Sequence, residues 1–135
     1  MKFLMMIKHA EGAPGLEHPE SLYAAMGKFV EESFKSGILK DTAGLKRTEH
    51  GYRLKSKGGK VSKTDGPFTE SKEVIGGFSI LNVASREEAL EEARTFMELH
   101  RVHWPGWEGE IEIRRMYEEE DDVRATQIEA SRLLE

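Results

Sequence analysis

The order of the apolar runs constrains the fold of this chain most strongly, because a strand, an amphipathic helix and a second strand occur twice. Lys2 to Lys8 is a nearly continuous apolar run, which is typical of a central strand covered on both faces. Pro19 and Gly37 suit the start and the left-handed end of a helix. The residues between them predict an amphipathic helix on a sheet, with apolar side chains at helical spacing: Leu22, Met26, Phe29, Val30 and Phe34. We assign Met26 and Phe29 to the core.

A returning strand and a hairpin follow this helix. Ile38 to Lys46 is the returning strand. Tyr52 to Ser56 and Val61 to Lys63 are two short strands around Gly58-Gly59, a two-residue loop of the kind that glycines favour in hairpins. We therefore expect a small antiparallel extension between the two halves of the main sheet.

The second unit begins with the mostly apolar strand Val74 to Val83. Gly76-Gly77 near its start indicates a bulge, or a place where another backbone or a ligand comes close. Ser85–Glu88 has the pattern of a capping box, which marks the start of a helix. The apolar face of that helix continues to His100, and residues 110–117 form the last strand.

This order predicts an α+β fold, a ferredoxin-like sandwich over residues 1–117 with both helices on one sheet face. The other face would be bare, although the central strands are apolar on both sides. We therefore expect a homodimer that joins the two bare faces into a dimeric α/β barrel and leaves a cleft near its rim. Residues 118–135 are expected to form an acidic linker, Glu118 to Asp122, and a short C-terminal helix, Val123 to Leu134.

The composition excludes several classes of function. The chain has no cysteine, which rules out disulfides, thiolate nucleophiles and cysteine-based zinc sites. Its net charge of −5 argues against nucleic-acid binding, which needs a basic face. No apolar run approaches the ~18 residues of a membrane span, and no signal-peptide cleavage site follows the first strand, so we expect a cytoplasmic location. No GxGxxG motif or phosphate-binding loop is present, and we expect no cofactor.

The run from Asp65 to Glu73, followed by Gly76-Gly77-Phe78, resembles the signature of the YCII-related family, specifically its DGPF-domain branch. The resemblance covers residues 1–117 and implies a dimeric α/β barrel of ferredoxin-like subunits. Some members accompany extracytoplasmic-function sigma factors, and the wider superfamily includes a dehydrochlorinase thought to use a His/Asp pair. In those relatives the histidine sits on the first helix. Here His18 precedes that helix, so the pair does not transfer directly.

His9 and Asp65 are the candidate acid–base residues. His9 ends the first strand beside a Gly/Pro loop, and the ordinary pKa of histidine lies near neutrality. Two roles are open for Asp65. It accepts hydrogen bonds from backbone amides two residues on, as aspartates in turns do, or it acts as a general base at the rim of a cleft, with Lys63 or Lys72 holding an anionic substrate.

Aromatic and charged residues supply further candidates for substrate binding. Phe68 fills a pocket or packs on a partner subunit. Trp104 and Trp107 flank Pro105-Gly106, where they stack on an aromatic ligand, contact the partner or anchor the loop. Glu112 and Arg114 share the strand face opposite the neighbouring isoleucines. They form an ion pair with a neighbouring strand or orient a polar substrate.

His100 and His103 are weak candidates for a metal site. They are spaced for one helical turn, and with Glu110 or Glu112 they would form a His/carboxylate set of the kind zinc uses. No glutamate of an HExxH motif lies between them. We therefore assign no metal, and expect His100 to complete the inner face of the helix and donate a hydrogen bond, with His103 at the helix C-terminus.

Two classes of function remain open from the residues alone. The first is a homodimer that binds a small anionic or aromatic molecule, in the form of a cofactor-free lyase or isomerase with His9 and Asp65 transferring protons. The second is a non-catalytic regulatory or interaction protein, linked to transcription, that uses its dimer surface and acidic tail.

Overall fold

The computed structural model describes residues 1–12, 18–119 and 131–133. The main body contains both predicted strand-helix-strand units with the hairpin between them. In chain order its elements are β1 (Lys2–His9), α1 (Glu20–Lys35), β2 (Leu39–Gly44), a 3-10 helix (Thr48–His50), β3 (Tyr52–Lys57), β4 (Lys60–Asp65), β5 (Val74–Asn82), α2 (Arg86–His103) and β6 (Gly109–Arg115).

Four strands form one antiparallel sheet in the order β2-β5-β1-β6, and β3 and β4 form a separate two-stranded hairpin. The fold class is therefore α+β, and this strand order is compatible with the expected ferredoxin-like sandwich. β1 and β5 are the central strands of this sheet.

The ends of the helices follow local sequence signals. Gly37 has a φ of 84° directly after α1, as expected for a left-handed helix end. Pro19 is the N-cap residue, so α1 begins one residue later than its sequence predicts. At the start of α2 the Ser85 hydroxyl accepts a hydrogen bond from the Glu88 amide at 3.2 Å, and the Glu88 carboxylate accepts one from the Ala84 amide at 3.3 Å.

The two faces of the sheet differ in their covering. Phe3 and Met5 are buried on the helix side, together with Leu81 and two alanines of α2. Leu4 and Met6, the alternate residues of β1, are only half-buried on the other face. The predicted inward orientation of Ile111 and Ile113 is confirmed, since both pack against the buried cluster.

The predicted bulge lies at the double glycine of β5. Ile7 pairs with Gly77 and Lys8 pairs with Ile75, so Gly76 is the extra residue in the ladder between β1 and β5. A Cβ atom on Gly76 would overlap the His9 imidazole. A larger residue here would therefore require the His9 side chain to move.

The Asp-Gly-Pro-Phe turn holds the hairpin against the main body. Thr48 is the centre of this contact: its hydroxyl accepts from the Phe68 amide at 3.0 Å and donates to the Glu11 carboxylate at 2.6 Å. The Thr48 amide donates to the same carboxylate at 2.8 Å. A Cβ on Gly66 would overlap the Thr48 carbonyl oxygen, so only glycine allows this approach. We call these contacts the hairpin lock.

The amide-binding role expected for Asp65 is corrected by this arrangement. Pro67, two residues after Asp65, has no N–H to donate, and the next amide, that of Phe68, donates to Thr48 instead. Asp65 is exposed, and its carboxylate lies 3.4 Å from the Lys63 ammonium group.

Most of the predicted linker and C-terminal helix lies outside the described residues. Residues 131–133 are helical, and Leu133 is exposed. Within the described ranges, no helix combines the length and apolar character needed to cross a lipid bilayer.

Candidate functional site

A cavity of about 450 Å³ lies between α1 and the helix-facing side of the sheet. One stripe of α1 forms its roof, with Tyr23, Met26, Gly27 and Val30 spaced by three and four residues. Its volume falls within the ~300–1,000 Å³ that small-molecule pockets occupy. The monomer therefore contains a ligand-sized space that does not depend on a second subunit.

Small residues explain why this space is not filled by the protein itself. The floor is formed by Thr42 and Gly44 of β2 and by Gly77 and Ser79 of β5. Side chains on the helix-facing side of a sheet normally meet the helices above them. Two glycines and two small hydroxyl residues at these positions leave the gap open, and Gly27 in the roof adds no side chain.

His100 forms the inner end of the cavity and is only 1% exposed. Its Nδ1 lies 3.0 Å from the Phe96 carbonyl oxygen one turn earlier in α2. A carbonyl can only accept, so Nδ1 carries the proton and donates this bond, as expected from the sequence. Burial lowers the pKa of His100, against a smaller raising effect of that hydrogen bond, and the charges of His18 and His9 lower it further.

His18 lies at the edge of the cavity, next to aromatic side chains. Its ring centroid is 5.2 Å from that of Trp104 and 6.5 Å from that of Tyr23. Partial burial lowers the pKa of His18, and His9 contributes in the same direction. Both histidines of the cavity are therefore held toward the neutral form, in which a ring nitrogen is free to accept a hydrogen bond.

The remaining polar groups in the floor are largely satisfied. The Thr42 hydroxyl lies 3.0 Å from the Phe78 carbonyl oxygen and 2.9 Å from the Ser79 hydroxyl. Among the described residues lining the cavity, none is an aspartate, glutamate, lysine or arginine. The described lining is thus mainly apolar and has no formal charge, and its side chains with unpaired polar atoms include the two histidines and Tyr23.

The predicted acid–base residues lie apart from this cavity. His9, at the end of β1, has its ring centroid 6.5 Å from that of Trp107, and its Nδ1 lies 2.8 Å from the Ala10 carbonyl oxygen. Asp65 is exposed on the hairpin. Neither residue lines the cavity, and nothing in the described monomer brings the two together as a pair.

The candidate cations for an anionic substrate are also exposed. Lys63 lies on the hairpin with its ammonium group 5.4 Å from the Tyr52 ring centroid, and Lys72 is exposed before β5. Neither lines the cavity. Phe68 is buried within its own chain, where the Arg53 guanidinium lies 3.7 Å from its ring centroid.

The tryptophans support the inner end of the cavity from behind. Trp104 and Trp107 are stacked with centroids 6.1 Å apart. Trp107 also contacts the His100 ring at 4.6 Å, while Trp104 contacts His18. Neither tryptophan lines the cavity itself. These contacts agree with the loop-anchoring role. Through them the loop after α2 packs against both cavity histidines.

Glu112 and Arg114 face the uncovered side of the sheet. The Lys8 ammonium of the neighbouring strand lies 2.9 Å from the Glu112 carboxylate, so the structural ion pair expected there is present. Arg114 lies 3.7 Å from the same carboxylate. The hydrogen bond and charge of Lys8 lower the pKa of Glu112. These residues belong to the open face of the sheet and not to the cavity.

The weak metal candidates have separate environments. His100 is committed to the Phe96 carbonyl through Nδ1, whereas His103 is the half-buried last residue of α2. In the part of the chain that the structure describes, no group of three or more potential metal-ligating side chains is found.

The sequence did not predict that α1 forms the roof of a cavity, or that His18 and His100 border it. Met26 was assigned to the core, but it lines the cavity, whereas Phe29 packs beside Phe96 with ring centroids 6.3 Å apart. One signal was available: Gly27 lies in the middle of an otherwise strong helix, where glycine costs stability. The double glycine of β5 was correctly expected to mark a close approach, and both of its residues border the cavity.

Comparisons with known proteins agree with this architecture but name no activity. The model of the YCII-related domain matches residues 1–97. An uncharacterized protein of Rhizobium meliloti (strain 1021) is 38% identical over 73 residues, which are 54% of this chain and 56% of that protein. The chain thus spans about half the length of this relative. The finer assignment to the DGPF branch stays a prediction.

Proposed function

The chain belongs to the YCII-related domain family, and we propose that it binds a small, uncharged and mainly apolar molecule in the cavity between α1 and the sheet. The absence of charged side chains among the described lining residues carries this proposal. A buried anion or cation without a partner would lose its hydration without compensation. An apolar molecule instead gains by leaving water, at about 25 cal/mol per Å² of buried surface.

The same geometry changes which groups would carry acid–base chemistry. Proton abstraction without a cofactor, as in a lyase or isomerase, needs an unprotonated acceptor within reach of the ligand. His100 and His18 border the cavity and have lowered pKa values. His9 and Asp65 do not border it, so we place any proton transfer on the two cavity histidines.

We further propose a homodimer formed through the open face of the sheet. Apolar side chains of β1 and β5 lie half-buried there, on the face opposite α1 and α2: Leu4, Met6, Phe78 and Ile80. Lys8 and Glu112 border this patch with opposite charges. Two copies related by a two-fold axis would bury the patches against each other and pair the charges reciprocally.

A matched pair of fluorescent probes tests the cavity proposal. N-phenyl-1-naphthylamine is neutral, and 1-anilinonaphthalene-8-sulfonate is the same skeleton with a sulfonate. We expect saturable fluorescence enhancement by the neutral probe and at least ~10-fold weaker binding of the anion, which the cavity cannot solvate. Gly27→Leu places a side chain in the cavity and should abolish binding. Ala24→Leu, on an exposed position of α1, should not.

Equal binding of both probes, or retained binding in Gly27→Leu, contradicts the proposal. The dimer is tested separately by light scattering after gel filtration. Ile80→Asp should convert a dimer to a monomer, whereas Leu90→Asp, at an exposed position of α2, should leave the mass unchanged. A monomeric wild-type chain across micromolar concentrations would refute the dimer without affecting the cavity proposal.

A further inference from the structure

We propose that the cavity selects aromatic molecules that carry a hydroxyl or N–H donor, and that Nε2 of His100 is the acceptor for that donor. The inference rests on the proposed function and specifies its ligand class as phenol-like compounds. Three observations carry it: the fixed tautomer of His100, the accessibility of Nε2, and the aromatic surroundings of the ring.

The tautomer follows from the contact with α2. Because Nδ1 donates to the Phe96 carbonyl, Nε2 of the neutral ring has no proton and presents its lone pair. The hydrogen bond also fixes the ring orientation. A buried histidine held in this way is an acceptor at Nε2 and cannot act there as a donor.

Nε2 has no partner of its own in the described part of the chain. The hydrogen bonds of His100 there involve Nδ1 alone. In the described part of the chain, the fully buried side-chain nitrogen or oxygen without a hydrogen-bond partner is Nε of Arg47. Nε2 of His100 also lacks a partner but does not belong to this fully buried class. His100 as a whole is 1% exposed and borders the cavity. We infer that this nearly buried, unpaired acceptor faces the cavity.

The surroundings of the ring favour a flat apolar ligand. The His100 ring contacts the rings of Phe96 and Trp107, with centroid distances of 4.9 and 4.6 Å. Met5 and Met26 line the same cavity, and methionine sulfur packs favourably against aromatic rings. A ligand donor satisfies Nε2, which otherwise stays unpaired when an apolar molecule displaces water from the cavity.

Two other polar side chains of the cavity, those of Thr42 and His18, are expected to discriminate less between ligands with and without a hydrogen-bond donor. The Thr42 hydroxyl is engaged with the Phe78 carbonyl and the Ser79 hydroxyl. His18 lies at the exposed edge, where water competes for its hydrogen bonds. His100 is therefore the group at which the loss of a ligand donor has the largest effect.

Two probes of nearly equal shape test this inference: 2-naphthol, which has a donor, and 2-methoxynaphthalene, which has none. A buried hydrogen bond contributes about 1.4 kcal/mol, which corresponds to about a tenfold preference for 2-naphthol. His100→Phe keeps an aromatic ring and removes the acceptor, so both probes should then bind with equal affinity. His50→Gln, at an exposed position that does not line the cavity, serves as the control and should retain the preference.

A second measurement uses the wild-type protein and does not depend on the folding of a variant. Lowering the pH protonates Nε2, and the preference for 2-naphthol should then disappear, while 2-methoxynaphthalene loses less affinity. His18 and His9 are the titratable groups whose charges act on His100. In His100→Phe, which keeps both of them, the two probes should bind with equal affinity at every pH.

The outcomes separate the two proposals. Equal wild-type affinities for the two probes overturn the role of His100 and leave cavity binding intact. A preference that survives in His100→Phe, or that does not change with pH in the wild-type protein, also overturns it. If neither naphthalene nor N-phenyl-1-naphthylamine binds, the proposed function itself fails.

Discussion

Replacement of Gly27 by alanine should stabilise the protein, although it changes a residue of the proposed site. Glycine inside a helix is less favourable than alanine by about 0.8–1.0 kcal/mol. A Cβ atom at this position would meet nothing within 4 Å, so no clash offsets that gain. We therefore expect the free energy of unfolding to rise by about 0.5–1 kcal/mol, mainly because alanine reduces the conformational entropy of the unfolded chain.

Gly37, at the end of the same helix, provides the matched control. Its added Cβ would also meet nothing within 4 Å, but its φ is +84°. Alanine is strained in this left-handed conformation, so Gly37→Ala should lower the free energy of unfolding by about 1 kcal/mol. The two substitutions are chemically identical and differ in backbone conformation alone.

Urea unfolding followed by circular dichroism measures both effects. The midpoint of Gly27→Ala should rise and that of Gly37→Ala should fall, with unchanged slopes, and the melting temperatures should move by about 2–4 °C in the same directions. If Gly27→Ala lowered the free energy of unfolding, the conclusion that the space around the Gly27 Cβ position is open would be wrong. If the urea midpoints of both variants shifted in the same direction, the explanation from the different backbone conformations of Gly27 and Gly37 would be wrong.

Three further predictions concern the hairpin lock and the buried histidine. Thr48→Val removes the hydroxyl that joins Phe68 and Glu11, and should cost about 2 kcal/mol in urea unfolding, whereas Thr64→Val on the exposed hairpin should stay within about 0.5 kcal/mol. Gly66→Ala forces the turn away from Thr48; limited proteolysis should then cut the hairpin faster than in wild-type, and an unchanged cleavage rate would contradict the lock. Because burial lowers the pKa of His100 in the folded state, the folded protein binds fewer protons than the unfolded chain. Stability should therefore fall as the pH drops below about 6.5, the unfolded value, and His100→Phe should reduce this slope in denaturant titrations at several pH values.

Local signals account for the parts of the fold that the sequence predicted. The doubled strand-helix-strand order, the left-handed Gly37 and the Ser85 cap each depend on residues close together in the chain. The bulge at Gly76 was also predictable, because a glycine inside an apolar strand commonly marks a bulge or the close approach of another group. Such features need no knowledge of distant contacts.

The cavity and the lock could not be predicted in this way, because both depend on residues far apart in sequence. Periodicity shows that Met26 lies on the inner face of α1, but whether that face meets a side chain or a gap depends on the opposing residues of β2 and β5. The position of Asp65 in the turn makes an amide-binding role one of its two expected roles. The actual acceptor, Thr48, comes from a 3-10 helix many residues earlier in the chain.

The lock and the cavity are nonetheless connected through one short segment. Gly44 and Leu45 border the cavity, and the Leu45 amide donates to the Gly76 carbonyl at 2.9 Å. Thr48, the centre of the lock, follows Leu45 by three residues, so the Asp-Gly-Pro-Phe turn fixes the chain that continues from the cavity wall. We therefore expect the turn to influence ligand binding by holding this segment in place. Thr48→Val should weaken binding of N-phenyl-1-naphthylamine, although Thr48 does not line the cavity. Unchanged affinity in a destabilised Thr48→Val protein would show that the sheet alone holds Gly44 and Leu45 in position.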